Sequence, residues 1–318
     1  MSDSAVAGAA VLERLLPTVD VSSCIFECEL YRPEVEGDYS LRITQGELSS
    51  WVSELRETAF RDWSAGAVPW ERAREFLSRW ATEPAFSKLG EFWLEFDYET
   101  LKMGYPKPCC FFGAETVQDP VELRHICAGP LSALLGRQTP DGLRDNLKRC
   151  IRALPLETGL FQIGVMLSRD ETPESTRLFT GEMGAGQVVP FLRAAGWQGA
   201  EPVLEEFLKW SVSHSDGLYI VDFDVFAEKI SSNVGVNFGV SPRDGALEAF
   251  LDAMRKHGFA RGEKCAGVKK WLESDDIPQL TNNISHFKFP FDGYRVKGAK
   301  VYLRHEETPD VTKIWGRW

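Results

Sequence analysis

The sequence predicts an α+β protein: a closed ten-stranded antiparallel β-barrel built from five ββ hairpins and ringed by α-helices. Three observations predict it. Apolar and polar residues alternate along ten short segments, the segments come in pairs joined by turn residues, and stretches with the 3.6-residue apolar spacing of helices lie between the pairs. Consecutive hairpin strands pair antiparallel, and closing the ten into a barrel removes every exposed sheet edge. Two open α+β sandwiches of five strands each are the alternative that the repeat leaves open.

The units follow in order along one domain spanning 1–318, after a leading helix near residues 5–16. Unit one pairs 25–30 with 39–44 across the turn at Glu36, Gly37 and Asp38, followed by an amphipathic stretch 47–60. A Trp-rich helix at 70–80 leads to unit two, 92–97 and 109–113, with helical segments over 121–154. Unit three pairs 161–167 with 177–180 across the charged turn 169–174, then a helix at 187–195. Unit four, after a helix at 200–212, is 218–225 with 234–239 and a helix at 245–257. Unit five, after a short helical stretch at 267–273, is 284–289 with 299–304. Units two and four share wording: Leu94-Glu95-Phe96-Asp97 with Phe112-Gly113, against Val221-Asp222-Phe223-Asp224 with Phe238-Gly239.

Composition narrows the function. The 318 residues carry 36 Lys and Arg against 47 Asp and Glu, a formal net charge of -11, which disfavours bulk attraction to nucleic acid or to an anionic membrane. Any anion must be held by a local group of cations. No apolar run reaches the roughly 18 to 20 residues of a membrane span, and Asp3 and Glu13 interrupt any secretory signal, so a cytoplasmic protein is expected. The seven cysteines lack the CxxC spacing of zinc sites and read as reduced packing residues. Walker A, GxGxxG, HExxH and GxSxG motifs are all missing.

Side chains alternate across a strand, and helices outside the barrel need the apolar face. The outward set is then Phe26, Cys28, Leu94, Phe96, Val221, Phe223, Phe287, Val301 and Leu303. The lumen receives Glu27 and Glu29, Arg42 and Thr44, Glu95 and Asp97, Gln162 and Met166, Arg177, Asp222 and Asp224, Asn237, His286 and Lys288, and Lys300, Tyr302 and Arg304. Trp93, Phe111 and Phe179 are aromatic lumen candidates. Acidic pairs at i and i+2 on three strands repel unless something compensates them. The compensating charge is open among a substrate, a Mg²⁺ ion and the facing Arg and Lys. His286, Lys288, Lys300 and Arg304, with Arg42 across the closure, gather enough cations to hold a diphosphate, and Tyr302 adds a hydroxyl donor.

The fivefold order, with the closing Ser285-His286-Phe287-Lys288-Phe289 and Lys300-Val301-Tyr302-Leu303 in which Lys and Tyr alternate, resembles the ABBA or PT-barrel prenyltransferases, including the aromatic and the peptide (cyanobactin-type) members. The resemblance implies a soluble enzyme that moves an isoprenyl group from an allylic diphosphate to an aromatic or peptide acceptor inside the barrel. Lys288, Lys300, Tyr302, Arg304, His286, Arg42 and Arg177 would then hold the diphosphate, and Trp93 would face the allyl cation. Glu95, Asp97, Asp222, Asp224 or Glu27 would take the proton, and Mg²⁺ is a candidate cofactor. A second reading uses paired carboxylates for acid–base chemistry, an isomerase, cyclase or hydrolase, on a basic or peptide substrate. A third is a binding protein that docks a partner through Trp63, Trp70, Trp80, Trp315 and Trp318.

Overall fold

The computed structural model describes residues 23–34, 36–55, 67–99, 106–114, 117, 120–241, 243–273 and 280–307. The strands are β1 Ser23–Glu29, β2 Gly37–Thr44, β3 Glu91–Phe96, β4 Pro108–Gly113, β5 Leu160–Val165, β6 Thr176–Thr180, β7 Met183–Gly184, β8 Leu218–Val225, β9 Ile230–Phe238, β10 Leu280–Phe291 and β11 Lys300–Glu307. Successive strands pair antiparallel except β6 with β7; β1 also pairs with β11, and β6 pairs with β8. Ten strands therefore close into a barrel, and the two-residue β7 lies outside the closed ring against the start of β8. The alternative of two open sandwiches is excluded by these two closing pairings.

The described helices are α1 Leu48–Glu54, α2 Val68–Thr82, α3 Pro120–Ala128, α4 Pro130–Leu135, α5 Asp141–Ala153, α6 Ala185–Ala195, α7 Glu201–Ser211, α8 Ala246–Lys256 and α9 Gly262–Glu273. None is long and apolar enough to cross a membrane. The Trp-rich α2 shows why they form. Trp70, Ala73, Phe76, Leu77 and Trp80 recur at three- and four-residue steps and are all buried, while Pro69 suits the first turn. α6 ends at Gly196, whose φ of 93° is the left-handed conformation that a glycine adopts without strain.

The hydrophobic core lies between barrel and helices. Phe76 of α2 stacks on Phe92 of β3 at 4.5 Å and on Phe112 of β4 at 5.5 Å. On the far side, Phe207 of α7 meets Phe289 of β10 at 4.9 Å, and Phe289 stacks on Phe238 of β9. Leu94, Phe96, Val221, Phe223, Phe287, Val301 and Leu303 belong to this outer core, with Phe26 and Cys28 packed against it, so the outward face is the one the alternation predicts. Burying each large apolar side chain contributes roughly 1.5–3 kcal/mol.

Several expectations change in detail. The helix expected over 47–60 is described as α1 alone, and positions 56–66 lie outside the described residues, as do the expected helix at 5–16 and Trp63, Trp315 and Trp318. Trp70 and Trp80 are each only 3% exposed, packed on the barrel, and so belong to no exterior docking patch. All seven cysteines are free thiols.

Candidate functional site

The inner face of the barrel encloses a cavity of about 220 Å3. Part of its wall is apolar: Ile25, Trp93, Cys109 and Phe111 pack together, with Met166, Phe179 and Tyr302 against them. Phe111 meets Phe179 edge-on at 5.9 Å. Its ring lies directly over Gly164 of β5, where an added Cβ would come within 1.9 Å of it. Trp93 is fixed by its indole N–H, which donates to Glu91 Oε1 at 2.7 Å.

The charged part of the wall is arranged in pairs. Lys288 on β10 donates to Asp222 Oδ1 on β8 at 2.8 Å, and Asn237 Nδ2 donates to Asp222 Oδ2 at 2.9 Å. The pair lies over Gly235, where a Cβ would come within 2.1 Å of the Asp222 carboxylate, so only glycine leaves room for it. Arg177 and Asp224 are register partners on β6 and β8, joined by two bonds of 2.9 and 3.0 Å. Across the closing seam, Glu27 sits opposite Tyr302 and Glu29 opposite Lys300. Lys300 Nζ lies 2.5 Å from Glu27 Oε1 and 3.3 Å from Glu29 Oε1, and the Tyr302 hydroxyl donates to Glu27 Oε2. Arg169, on the turn after β5, holds Asp97 at 2.5 Å, reaches Glu95 at 3.8 Å, and Ser168 also donates to Asp97. The acidic pairs are thus compensated chiefly by the protein's own Arg and Lys.

These partners separate the carboxylates chemically. Burial opposes the ionisation of Glu27, but Lys300 and Lys288 outweigh it and bring its pKa down to about 2. For Asp222, too, Lys288 and Arg177 outweigh burial and lower the pKa. Glu95 has only the longer Arg169 contact at 3.8 Å, and burial, reinforced by Glu27, outweighs it and raises the pKa to about 7. Asp38, opposite Glu27 on β2, is raised by burial and by Glu27 and Glu95 to about 8. One carboxylate fixed as an anion beside two that change protonation near neutrality is the arrangement from which acid and base roles are drawn.

Beyond Glu27 and Lys300 the lumen opens into a second cavity of about 440 Å3 lined by Glu27, Glu29, Glu36, Asp38, Asp97 and Glu99, with Arg32, Arg169 and Lys300. The two cavities share Glu27, Arg169 and Lys300 and bring the space into the size range of small-molecule sites.

Of the residues singled out in the sequence, Glu27, Glu95, Trp93, Arg177, His286, Lys288, Lys300, Tyr302 and Arg304 line the main cavity. Asp97 lies at the second cavity, and Asp222 and Asp224 are held behind their cations. Arg42 is the register partner of Trp93 and lies next to the lining. Two expectations need correction. Lys288 and Lys300 do face one another in register, but each is bonded to a carboxylate rather than open to an anion. His286 adds no positive charge at neutral pH, since burial and the neighbouring Lys288 and Arg304 lower it to about 3; its ring stacks on Tyr302 at 4.0 Å.

The alternation missed Asp38 and Arg169 because both belonged to segments read as turns. Their signal was charge in a turn next to strands that carried the opposite or the same sign. For Mg²⁺, no group of three metal-ligating His, Cys, Asp or Glu side chains gathers among the described residues, and Glu27, Asp97, Asp222 and Asp224 already accept from protein donors. This donor set does not fit a metal held by side chains alone.

Comparison with protein-family models gives no match, and comparison with curated proteins gives none either.

Proposed function

We propose that the protein is an enzyme that transfers an isoprenyl group from an allylic diphosphate to an aromatic or peptide acceptor within the barrel, in the manner of the PT-barrel prenyltransferases it resembles. The observation that supports this best is the joining, in one enclosed cavity, of an aromatic wall at Trp93, Phe111 and Phe179 with the carboxyl of Glu95. Prenyl transfer needs both. The allylic C–O bond breaks with its electron pair leaving on the diphosphate, and ring faces stabilise the carbocation while the enclosure keeps water away. The acceptor's π electrons form the new C–C bond, and the proton displaced from the acceptor passes to a carboxylate. Glu95, poised at about 7 and met only by Arg169 at 3.8 Å, is the group suited to accept it.

The test is incubation with dimethylallyl or geranyl diphosphate and a panel of aromatic amino acids and of Trp- and Tyr-bearing peptides. Expected is pyrophosphate release matched by a prenyl mass gain on the acceptor, falling roughly 10²-fold or more in Glu95→Gln with folding intact. No mass gain on any acceptor contradicts the reading.

One observation favours the second reading. Six carboxylates line the outer cavity, and Asp38 and Glu95 are raised to about 8 and 7 while Glu27 is lowered to about 2. A cationic substrate suits that charge, and a protonated carboxyl beside an ionised one suits isomerisation, cyclisation or hydrolysis. Turnover of a Lys- or Arg-bearing peptide without any allylic diphosphate would favour it.

A further inference from the structure

Asn237 of β9 lines the main cavity and is only 4% exposed. Its Nδ2 donates to Asp222 Oδ2 at 2.9 Å and to the Ile220 carbonyl at 3.1 Å, and since both partners are acceptors the amide has only one orientation. Oδ1 is therefore held on the other side of the amide, buried and without a hydrogen-bond partner among the described residues. A buried acceptor in that state costs as much as a broken hydrogen bond, and a ligand that brings a donor removes the cost.

The surroundings of Asn237 define that donor. Asp222 is neutralised by Lys288, the register partner of Asn237 on β10, so the pair beside the amide carries no net charge. Lys288 Nζ lies 5.7 Å from the centre of the Phe179 ring, and Phe179 is the register partner of Asp222, so the aromatic wall reaches the asparagine. Ile220, opposite Asn237 on β8, and Leu218 continue the lining as apolar side chains. An uncharged N–H or O–H on an aromatic ring suits such a place.

Toward the rim the sign changes. Gly239, two residues on from Asn237, lies under the Asp216 carboxylate, where a Cβ would come within 2.5 Å of Oδ2. Asp216 and Glu182 are exposed, line the same cavity, and form no ion pair among the described residues. Partial burial raises the pKa of both, and Asp216 raises Glu182 further, so a cation is wanted beside them. Glu182 follows the end of β6 remote from the turn that carries Arg169, which puts this rim opposite the second cavity.

We infer that Asn237 selects the acceptor: its Oδ1 takes a ring N–H or O–H, while a basic group on the same molecule lies at the Glu182–Asp216 rim, by which the acceptor enters. The inference rests on the function proposed above for the presence of an aromatic acceptor and adds its class, an indole or phenol that carries an amine.

The experiment is calorimetric titration of the full chain with tryptamine, with its ring-N-methyl derivative, which lacks the ring N–H, and with indolepropionate, in which a carboxylate replaces the amine. Prenyl transfer from dimethylallyl diphosphate to the two tryptamines is followed in parallel. Expected is saturable tryptamine binding, about 10-fold or more tighter than that of the ring-N-methyl derivative, the size of a hydrogen bond to a buried acceptor. In Asn237→Ala the two should bind alike. Indolepropionate should bind more weakly than tryptamine, and the gap should close in the double variant Glu182→Gln with Asp216→Asn. Should Asn237→Ala melt below the assay temperature, the wild-type ratio of the two tryptamines and the rim variant decide. Absence of saturable binding, equal wild-type affinities for the two tryptamines, a ratio that survives in a folded Asn237→Ala, or indolepropionate bound as tightly as tryptamine overturns the inference. Binding that depends on the ring N–H and on Asn237 without any prenyl transfer keeps this site and sinks the prenyl reading, whereas prenyl transfer to both tryptamines alike does the opposite.

Discussion

On the outer face of β3 and β4, Phe92 and Phe112 lie side by side in register with Phe76 of α2 stacked on both. One residue along, on the inner face of the same two strands, Trp93 and Phe111 are register partners that border a cavity shared with Glu95, Lys288 and Arg177. The same pair of strands thus makes a dry, filled layer on one side and a partly empty, charged chamber on the other. The outer face holds the barrel together by burial of apolar area, which is non-directional and tolerant of detail. The inner face depends on individual partners, and each charge there is worth having only because another meets it.

Substitutions on the two faces, and a pH series, test that contrast. Phe76→Ala should cost about 3–5 kcal/mol, because its ring fills the layer between α2 and the barrel. Phe111→Ala should cost at least about 1 kcal/mol less, since its ring already borders open space and has fewer contacts to lose. Urea unfolding of the two variants decides it, and equal losses would mean that the inner face is packed as densely as the outer.

Removing one member of a buried ion pair tests the inner face on its own terms. Asp222→Ala leaves Lys288 buried without its carboxylate, the side chains being 4% and 11% exposed, and should cost about 3–5 kcal/mol. The double variant Asp222→Leu with Lys288→Met should recover most of that loss in the same urea measurement. If it does not, the pair contributes more than mutual compensation.

Gly164→Ala comes next in size. The added methyl falls where the Phe111 ring lies, so the ring must swing into the cavity, at about 1–3 kcal/mol. A thermal melt reads the cost, and a variant as stable as the wild type would show that Phe111 moves aside freely.

The smallest effect is the pH dependence of the carboxylates near the second cavity. In the unfolded chain Asp38 and Glu95 release their protons near pH 4, whereas in the fold they hold them to about 8 and 7. Between pH 6.5 and 8 the folded protein therefore binds protons that the unfolded chain has already lost, and stability falls as pH rises. Glu27, lowered to about 2, titrates below that window in both states, whereas His286, lowered to about 3 in the fold, is still half-protonated near pH 6.5 in the unfolded chain; it opposes the trend at the lower end of the window, but the two carboxylates outweigh it. Melting temperature should drop from pH 6.5 to pH 8, and Asp38→Asn should flatten the drop. A wild-type curve that is level over this range would contradict the placement of Asp38 among carboxylates.

The barrel was legible because period-two alternation and hairpin spacing are local signals. Leu94 and Phe96 had to point one way if Glu95 pointed the other, and the closing hairpin's Lys288 and Lys300 fell into register because the strands around the turn at Asp292 and Gly293 fix it. What local signals lack is the partner across the ring. Nothing near Asp222 in the sequence names Lys288, 66 residues later, and nothing near Glu27 names Lys300 across the closure, 273 residues away. Irregular backbone hid more: a register shift between Leu160 and Gln162 lets both Phe161 and Gln162 border the cavity, and another between Ile284 and His286 brings Ser285 there beside His286. Alternation assigns neighbours to opposite faces and cannot foresee either.

The proposed function puts chemistry on an allylic diphosphate inside the barrel, against the aromatic wall. A crystal structure with an unreactive thiol-linked analogue of dimethylallyl diphosphate, soaked to saturation, tests it most directly. The predicted result is the prenyl chain within the lumen against Trp93, Phe111 and Phe179, with Glu95 facing the space left for the acceptor. An analogue bound on the outside of the barrel, or a lumen that stays free of it at saturation, would contradict the claim.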